Sequence, residues 1–359
     1  MGQLSRIQTP ALGNSGAELG MRNRIINGAM AIDQRNAGAS VTPGDGSYTL
    51  DRWKASVTQA GKLSMQQVSA APSGFINSVL VTSLAATTVG TGDTFGFYQP
   101  IEGLNISDLG FGAAGAATIT VSFWVRASIT GTYSVSITNS GLSRCYPVIY
   151  TVNAANTWEQ KIITIAGDTA GTWLTTNGVG LQLFFNLGAG STYGGAISGA
   201  WVGSLKVAAT GQTNWISTNG ATFYITGVQL EKGNNASPFE WRPYGQELAL
   251  CYRYYRRYTG AGQMIGAGGW FNTTTAYRWG FTLDTPMRTA PTVSFNSCQG
   301  WGGNALGGTV SASTNYSTTN NIDCDITLSS AMGTASAFSV FKMYLVGVSP
   351  FIELNGAEL

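Results

Sequence analysis

Hydrophobic and polar residues alternate with a period of two along much of the chain, which is the pattern of strands with one buried face. The clearest case is residues 118–128, where Ile119, Val121, Phe123 and Val125 alternate with more polar positions. Similar segments predict further strands at residues 53–58, 78–84, 95–101, 133–138, 161–165, 179–187 and 222–230. Short strands separated by turn residues predict a β-sandwich or a barrel.

One segment, residues 246–258, has the period of a helix instead. Glu247 near its start and the arginines near its end suit the helix dipole, and Gly260 is a stop signal. The repeating face consists of Leu248, Cys251, Tyr252, Tyr255 and Tyr258. A single helix between two β regions predicts a connection between two domains. We favour a helix that covers the end of a sheet over one that packs in a bundle with its copies at a symmetry axis.

Strand patterns return after the helix, separated by loops rich in Gly, Asn, Ser and Thr. The predicted strands are residues 277–283, 292–296, 321–328 and 337–346. The whole chain is therefore predicted to be all-β. It divides into a sandwich over residues 23–245, a connecting helix over residues 246–258 and a smaller C-terminal β-domain over residues 259–359.

The first 22 residues follow no period and are rich in Gly, Ser, Asn and Gln. We interpret them as an extended arm that becomes ordered on a partner surface, and a floppy terminus is the alternative. The scattered apolar residues that would make the attachment are Leu4, Ile7, Leu12 and Leu19.

The amino-acid composition excludes several classes of function. Charged residues make up 10% of the 359 residues, against about 25% in an average protein, and the net charge is +2. Such a chain has no long-range field to capture nucleic acid or an anionic membrane. There is no histidine, which excludes imidazole triads and imidazole metal ligands. A monomer with so neutral a surface would tend to associate, so partner chains are expected to cover much of it, above all in residues 169–230, where Lys206 is the only charge.

Cysteine spacing and hydropathy exclude other classes. No two cysteines form a CxxC motif, and free thiols in a protein made in a reducing cytoplasm are favoured over a Cys298–Cys324 bridge. No apolar run approaches the roughly 18 residues of a membrane helix, and the first 20 residues do not resemble a secretion signal. The glycine-rich stretches match no nucleotide-binding fingerprint, so no cofactor is expected.

Two patterns could carry chemistry. Asp323 and Asp325 lie two residues apart on one strand and could bind calcium or act as an acid–base pair, but two solvated strand residues are the favoured interpretation. No catalytic residue and no metal ligand are therefore predicted. Aromatic rings of the C-terminal unit could stack on sugars, with core packing as the alternative. These candidates are Trp270, Tyr277, Trp279, Trp301 and Tyr316.

Several segments resemble tailed-bacteriophage fibre and appendage proteins that contain a carbohydrate-binding-module-like jelly roll. The segments are, in chain order, NRIINGAM (23–30), DQR (33–35), YTLDRW (48–53), SFWVRASITGTYSVSI (122–137), GVQLE (227–231), SPFE (237–240), RPY (242–244) and ELALCYRYY (247–255). The resemblance covers roughly residues 23–258. It implies that the sandwich is a jelly roll, that Asp51, Arg52 and Trp53 hold the first strand, and that residues 231–244 close the sandwich.

Members of this group are typically trimeric, non-enzymatic virion proteins. The resemblance therefore implies a tail fibre or tail-tip appendage that is made in the host cytoplasm and resides in the virion. Its N-terminal arm would bind other virion proteins, and its C-terminal unit would face a host-surface glycan. A capsid decoration or head fibre protein and a polysaccharide-degrading enzyme of the virion are the alternatives.

Overall fold

A computed structural model describes residues 21–266, 275–302, 305–330, 342–347 and 349–359. Within these ranges antiparallel strands are the dominant regular structure, which confirms the all-β class. No helix in the described part is long and apolar enough to cross a membrane.

Ten strands form two five-stranded sheets that pack face to face as a jelly-roll sandwich. The strands are β1 (Lys54–Val57), β2 (Leu63–Val68), β3 (Ser78–Ser83), β4 (Thr94–Glu102), β5 (Ile119–Ala127), β6 (Gly131–Thr138), β7 (Cys145–Val152), β8 (Glu159–Ile165), β9 (Val179–Ala189) and β10 (Thr222–Lys232). The first sheet has the order β2-β3-β10-β5-β8, and the second has the order β1-β4-β9-β6-β7. Short 3-10 turns lie at Gly103–Asn105, Ser107–Leu109 and Trp215–Ser217.

Aromatic rings fill the space between the two sheets. Phe97 and Phe185 stack with their ring centroids 5.4 Å apart, and Trp53 meets Phe97 edge-on at 5.9 Å. Phe123, which comes from the opposite sheet, meets Phe185 edge-on at 5.1 Å. Edge-on and offset arrangements suit the charge distribution of aromatic rings. The alternating residues predicted for residues 118–128 therefore face this core.

The outer face of the second sheet is covered by the chain itself. The long connection between β9 and β10 crosses it, and Ala209 N–H donates to the Ser134 hydroxyl at 3.0 Å. The Gln212 amide donates to Asn186 Oδ1 at 2.5 Å, and Val202 pairs with Cys145 at the edge of β7. This covering accounts for part of the charge-poor segment without a partner chain.

The segment before β1 joins the jelly roll through side-chain hydrogen bonds. The Asn27 amide donates to the carbonyls of Ile32 and Asp51, and the Trp53 indole donates to the Asn27 carbonyl at 3.1 Å. Asn27 has a φ of 59°, a left-handed conformation that Asn tolerates better than most residues. The Arg52 guanidinium donates to the Pro100 carbonyl at 2.6 Å. These bonds hold the entry to β1.

The helix differs from the predicted residues 246–258. Helix α1 spans Tyr244–Tyr252, and the chain then turns into a strand. The reason is tertiary contact: the Tyr254 hydroxyl donates to Glu102 at 2.7 Å, and the ring of Tyr255 lies 3.5 Å from the Arg35 guanidinium. Both tyrosines are buried in this way, so the helical period of the sequence does not continue as a helix.

Two further sheets follow α1. The strands are β11 (Arg256–Thr259), β12 (Met264–Ile265), β13 (Ala276–Thr282), β14 (Thr292–Asn296), β15 (Cys298–Gly302), β16 (Ala305–Asn315), β17 (Asn321–Leu328), β18 (Lys342–Leu345) and β19 (Phe351–Asn355). A three-stranded sheet has the order β11-β19-β14, and a six-stranded sheet has the order β12-β18-β15-β16-β17-β13. Of the predicted strand at residues 337–346, the first five residues lie outside the described part.

The four cysteines are free and buried. Burial raises the pKa of the Cys298 and Cys324 thiols to about 11, although hydrogen bonds lower it in part. These thiols are therefore neutral near pH 7 and poorly nucleophilic.

Candidate functional site

Two of the predicted sugar-binding aromatics belong to the core of the C-terminal unit. Tyr277 is 2% exposed and Trp279 is 0% exposed. The Trp279 indole donates to the Ile265 carbonyl at 2.9 Å, and its ring meets Phe295 edge-on. A ring enclosed on both faces cannot stack on a sugar, so the structure corrects the expectation for these two residues in favour of core packing.

The other three candidates have different positions. Trp301 is half-buried, and its ring centroid lies 6.1 Å from that of Tyr344. Tyr316 is 51% exposed directly after β16. Trp270 lies outside the described residues, as do the predicted attachment residues Leu4, Ile7, Leu12 and Leu19.

Tyr316 lies beside an arginine–carboxylate group on the six-stranded sheet. Strands β13 and β17 place Arg278 opposite Asp325, and Asp323 lies two residues away on the same face. The Arg278 guanidinium donates to both carboxylate oxygens of Asp323, at 2.8 and 2.5 Å, and lies 3.7 Å from Asp325. Two parallel hydrogen bonds of this kind set the orientation of the guanidinium plane.

Backbone bonds hold the tyrosine next to this group. Tyr316 N–H donates to the Asp323 carbonyl at 2.8 Å, and the Arg278 guanidinium lies 5.0 Å from the Tyr316 ring centroid. Hydrogen bonds to Asp323 raise the pKa of Arg278, which keeps the guanidinium charged. We call Tyr316, Arg278, Asp323 and Asp325 the tip cluster.

A cavity of about 280 Å³ adjoins the tip cluster. It lies over β13, β16 and β17, and Arg278, Asp325, Thr314 and Thr327 contribute to its lining. The site thus combines an exposed ring with charged and hydroxyl groups that can donate or accept hydrogen bonds. This is the chemistry expected for a sugar, whose ring has apolar faces and a polar rim.

Three of these residues have no recognisable functional signal in the sequence. Arg278, Thr314 and Thr327 lie in ordinary strand segments, and only the register between β13, β17 and β16 brings them to the aspartates. The aspartates themselves are paired with Arg278, which agrees with the interpretation as strand residues. Among the described residues, no group of three or more Cys, Asp or Glu side chains could hold a metal ion.

A second exposed aromatic group lies on the jelly roll. Phe75, Phe239 and Trp241 have ring centroids 4.8 to 5.1 Å apart. The charged side chains beside them are already engaged, since Arg242 forms ion pairs with Glu240 and Glu247. The Arg242 side chain is 6% exposed, whereas those of Arg278 and Asp325 are 44% and 50% exposed, so the polar groups of the tip cluster are the more accessible to a sugar.

Comparisons with known proteins give distant structural similarities. The chain is similar to part of the enzymatically active domain of bacteriophage CBA120 tailspike protein 4, with 13% identity, a TM-score of 0.32, 59% of this chain covered and 21% of that chain. It is also similar to a putative sugar-binding protein from Bacteroides thetaiotaomicron, with 12% identity, a TM-score of 0.35, 59% of this chain covered and 100% of that one.

A family 11 carbohydrate-binding module from Clostridium thermocellum matches with 12% identity and a TM-score of 0.29, covering 55% of this chain and 98% of the module. No protein-family model matches the chain, and no curated protein matches it by sequence. Similarities with TM-scores this far below 0.5 carry no conclusion about what the chain binds. The proposal about what the chain binds therefore rests on the residues of the site.

Proposed function

We propose that this protein is a bacteriophage virion structural protein, a tail fibre or tail-tip appendage, that binds a host-surface glycan through the tip cluster without catalysis. The observation that carries the glycan part is the half-exposed ring of Tyr316 beside the oriented Arg278–Asp323 pair. The virion part is supported by the paired sequence motifs of residues 23–30 and 227–255.

The tip cluster offers the two kinds of contact that a sugar requires. The Tyr316 ring provides a flat apolar face, and Arg278 and Asp325 provide a donor and an acceptor at its side. Because Asp323 already orients Arg278, little side-chain freedom is lost when a hydroxyl binds. Exposed hydrogen bonds of this kind are individually weak.

Weak single sites suit a multivalent appendage. In a homotrimer, three copies of the tip cluster would bind a repetitive polysaccharide together, and linked sites gain avidity without any new contact. The low net charge of the chain favours such an assembly, because neutral surfaces associate readily. Sedimentation of the purified protein tests this part: a trimer supports it, and a monomer at micromolar concentration contradicts it.

Binding to an array of bacterial lipopolysaccharides and capsular polysaccharides tests the glycan part. Tyr316→Ala should weaken binding about fivefold, since an aromatic contact contributes on the order of 1 kcal/mol. Tyr316→Phe keeps the ring and should retain most of the binding. Trp158→Ala removes a half-buried ring from the jelly roll and serves as the matched control. Equal binding by Tyr316→Ala and the control would refute the tip cluster as the site.

Particle assembly tests the virion part. Deletion of residues 1–20 should leave a folded body, because it keeps every residue of the described structure, which begins at Met21. The truncated protein should no longer co-purify with virions, whereas the full chain should do so. Normal incorporation of the truncated protein would show that the attachment surface lies elsewhere.

A further inference from the structure

A second cavity, away from the tip cluster, lies where the N-terminal segment, α1 and the C-terminal strands meet. It has a volume of about 660 Å³. Its lining includes Gln34 and Arg35 from the N-terminal segment, Tyr244 and Tyr252 from α1, and Arg257 from β11. The volume lies within the range of sites that hold small organic ligands and is far larger than a single ion needs. We call it the junction cavity.

Two arginines bring positive charge to the junction cavity. The guanidinium of Arg35 lies 3.5 Å from the Tyr255 ring centroid, and that of Arg257 lies 4.0 Å from the Phe351 ring centroid. Arg257 also donates to the Arg35 carbonyl. The ring contacts place both guanidinium groups in defined positions, as recognition of a planar anion requires.

Each arginine has a buried nitrogen with no hydrogen-bond partner among the described residues. These atoms are Nη1 of Arg35 and Nε of Arg257. A buried donor without an acceptor costs about 1–3 kcal/mol, so it calls for an explanation. Because these two nitrogens are themselves buried, a ligand in the cavity would pair with the parts of Arg35 and Arg257 that line it.

Among the described residues, the carboxylates near the cavity form no ion pair with Arg257, although Asp33 lines the cavity and interacts electrostatically with Arg35 and Arg257. Asp33 accepts hydrogen bonds from its own turn, from the backbone N–H groups of Asn36 and Gly38. Glu358 is shared between Arg35, at 2.9 Å, and Arg52, at 2.5 Å. Glu353 lies opposite Arg257 across the strand pair, but no ion pair between them is found within the described part of the chain.

We propose that the junction cavity binds a carboxylate-bearing sugar unit of a polysaccharide, with Arg257 contacting the carboxylate. Tyr244 is 64% exposed at the cavity and offers a ring for stacking, and Gln34 offers an amide for hydroxyl groups. The charged guanidinium of Arg257 is a strong donor to a carboxylate. This assignment rests on the proposed glycan-binding function and adds acidic sugars as the substrate class of a separate site.

Calorimetric titration of the full-length protein tests the assignment. The probe is α-1,4-linked trigalacturonate, and its fully methyl-esterified form is the matched neutral probe. We expect the acid to bind and the ester to bind at least tenfold more weakly, since the ester lacks the charge that pairs with arginine. Equal affinity for the two probes would overturn the proposal. So would inorganic phosphate binding as tightly as trigalacturonate, because the site would then recognise a bare anion.

Variants locate the binding. Arg257→Gln should weaken trigalacturonate binding at least tenfold, and Arg257→Lys should restore part of it. Because Arg257 contacts Arg35 and Phe351, its variants could also perturb the fold. Tyr244→Ala alters an exposed ring instead and should weaken binding several-fold with unchanged thermal melting. If both Arg257→Gln and Tyr244→Ala bind like the unmodified protein, the assignment is wrong.

Arg278→Gln separates the two sites. It changes a guanidinium of the tip cluster and should leave trigalacturonate binding at the junction cavity unchanged. If Tyr316→Ala loses array binding but the unmodified protein does not bind trigalacturonate, only the junction cavity is refuted. If trigalacturonate binding depends on Arg257 but Tyr316→Ala still binds the array normally, only the tip cluster is refuted.

Discussion

The ion pairs around Arg52 beside the jelly roll and around Arg278 on the six-stranded sheet differ in burial. Arg52 is 1% exposed, and its partner Glu358 has a side chain that is 9% exposed. Glu102 likewise accepts from Arg253 and Tyr254 beneath α1. On the six-stranded sheet, Arg278 and Asp325 both lie exposed.

This difference separates charges that hold the fold from charges that remain available to a ligand. A buried pair is costly to break, because the remaining charge has no water around it. An exposed pair contributes little to stability and can exchange partners with a ligand at small cost. In a chain with so few charges, the exposed cluster is therefore the more informative about function.

The strongest test of this contrast is removal of the buried carboxylate. Glu358→Gln keeps the side-chain size but leaves Arg52 and Arg35 without their shared counterion. We expect the free energy of unfolding to fall by about 3–5 kcal/mol, as measured by urea denaturation. Glu353→Gln is the matched control on the neighbouring strand and should change stability by less than about 1 kcal/mol. Equal effects would show that burial does not distinguish these carboxylates.

A second test uses pH. Burial raises the pKa of Asp51 to about 6, against the opposing effects of Arg35 and the Gln34 hydrogen bonds. The folded state therefore binds more protons than the unfolded state between pH 4 and 6, and stability falls as the pH rises through this window. Two pKa units correspond to about 3 kcal/mol.

Comparison with Asp51→Asn isolates this effect. The variant has no titrating group at this position, so the unfolding free energy of the unmodified protein should fall relative to the variant between pH 4 and 7. Urea denaturation of both proteins at four pH values measures it. A difference that stays constant over the window would contradict the raised pKa.

Glycine substitutions compare how tightly the two regions are packed. A Cβ at Gly96 would lie 2.2 Å from the Phe185 carbonyl oxygen, and one at Gly280 would lie 2.2 Å from that of Ile322. Strand β4 is held between β1 and β9, whereas β13 is at the edge of its sheet and can move outward. We expect Gly96→Ala to cost about 3 kcal/mol and Gly280→Ala about 1 kcal/mol.

Gly92→Ala is the control for this pair, because a Cβ there would meet nothing within 4 Å. Thermal melting and urea denaturation measure all three variants. If Gly280→Ala proves the more harmful, the C-terminal sheet is the more rigidly packed of the two regions, and the contrast drawn from strand order is wrong.

Sequence patterns predicted the fold well where strands bury one full face. Residues 119–127 form β5 almost as predicted, because alternation directly reflects a two-layer core. The two jelly-roll strands that were missed, β2 and β7, lie at sheet edges. The edge strands β1 and β8 were predicted, whereas Gln66 and Gln67 interrupt the alternation in β2 and Pro147 interrupts it in β7.

The candidate site could be predicted only in part. Tyr316 was one of five aromatic candidates, and its ring is exposed as sugar stacking would require. The same reasoning failed for Trp279, since nothing in a lone sequence distinguishes a core ring from a surface ring. Arg278 required the register between β13 and β17, which is a long-range property of the folded chain.

The smallest expected effect on stability is that of a substitution in the exposed tip cluster. Asp325→Asn removes a carboxylate that lies 3.7 Å from Arg278 and is half-exposed. We expect a change of less than about 0.5 kcal/mol in the free energy of unfolding, because water screens an exposed pair and Asp323 still holds the guanidinium. Glycan binding on the array should nevertheless fall, since the amide is a weaker acceptor for sugar hydroxyls. A stability loss comparable to that of Glu358→Gln would place the tip cluster among the charges that hold the fold.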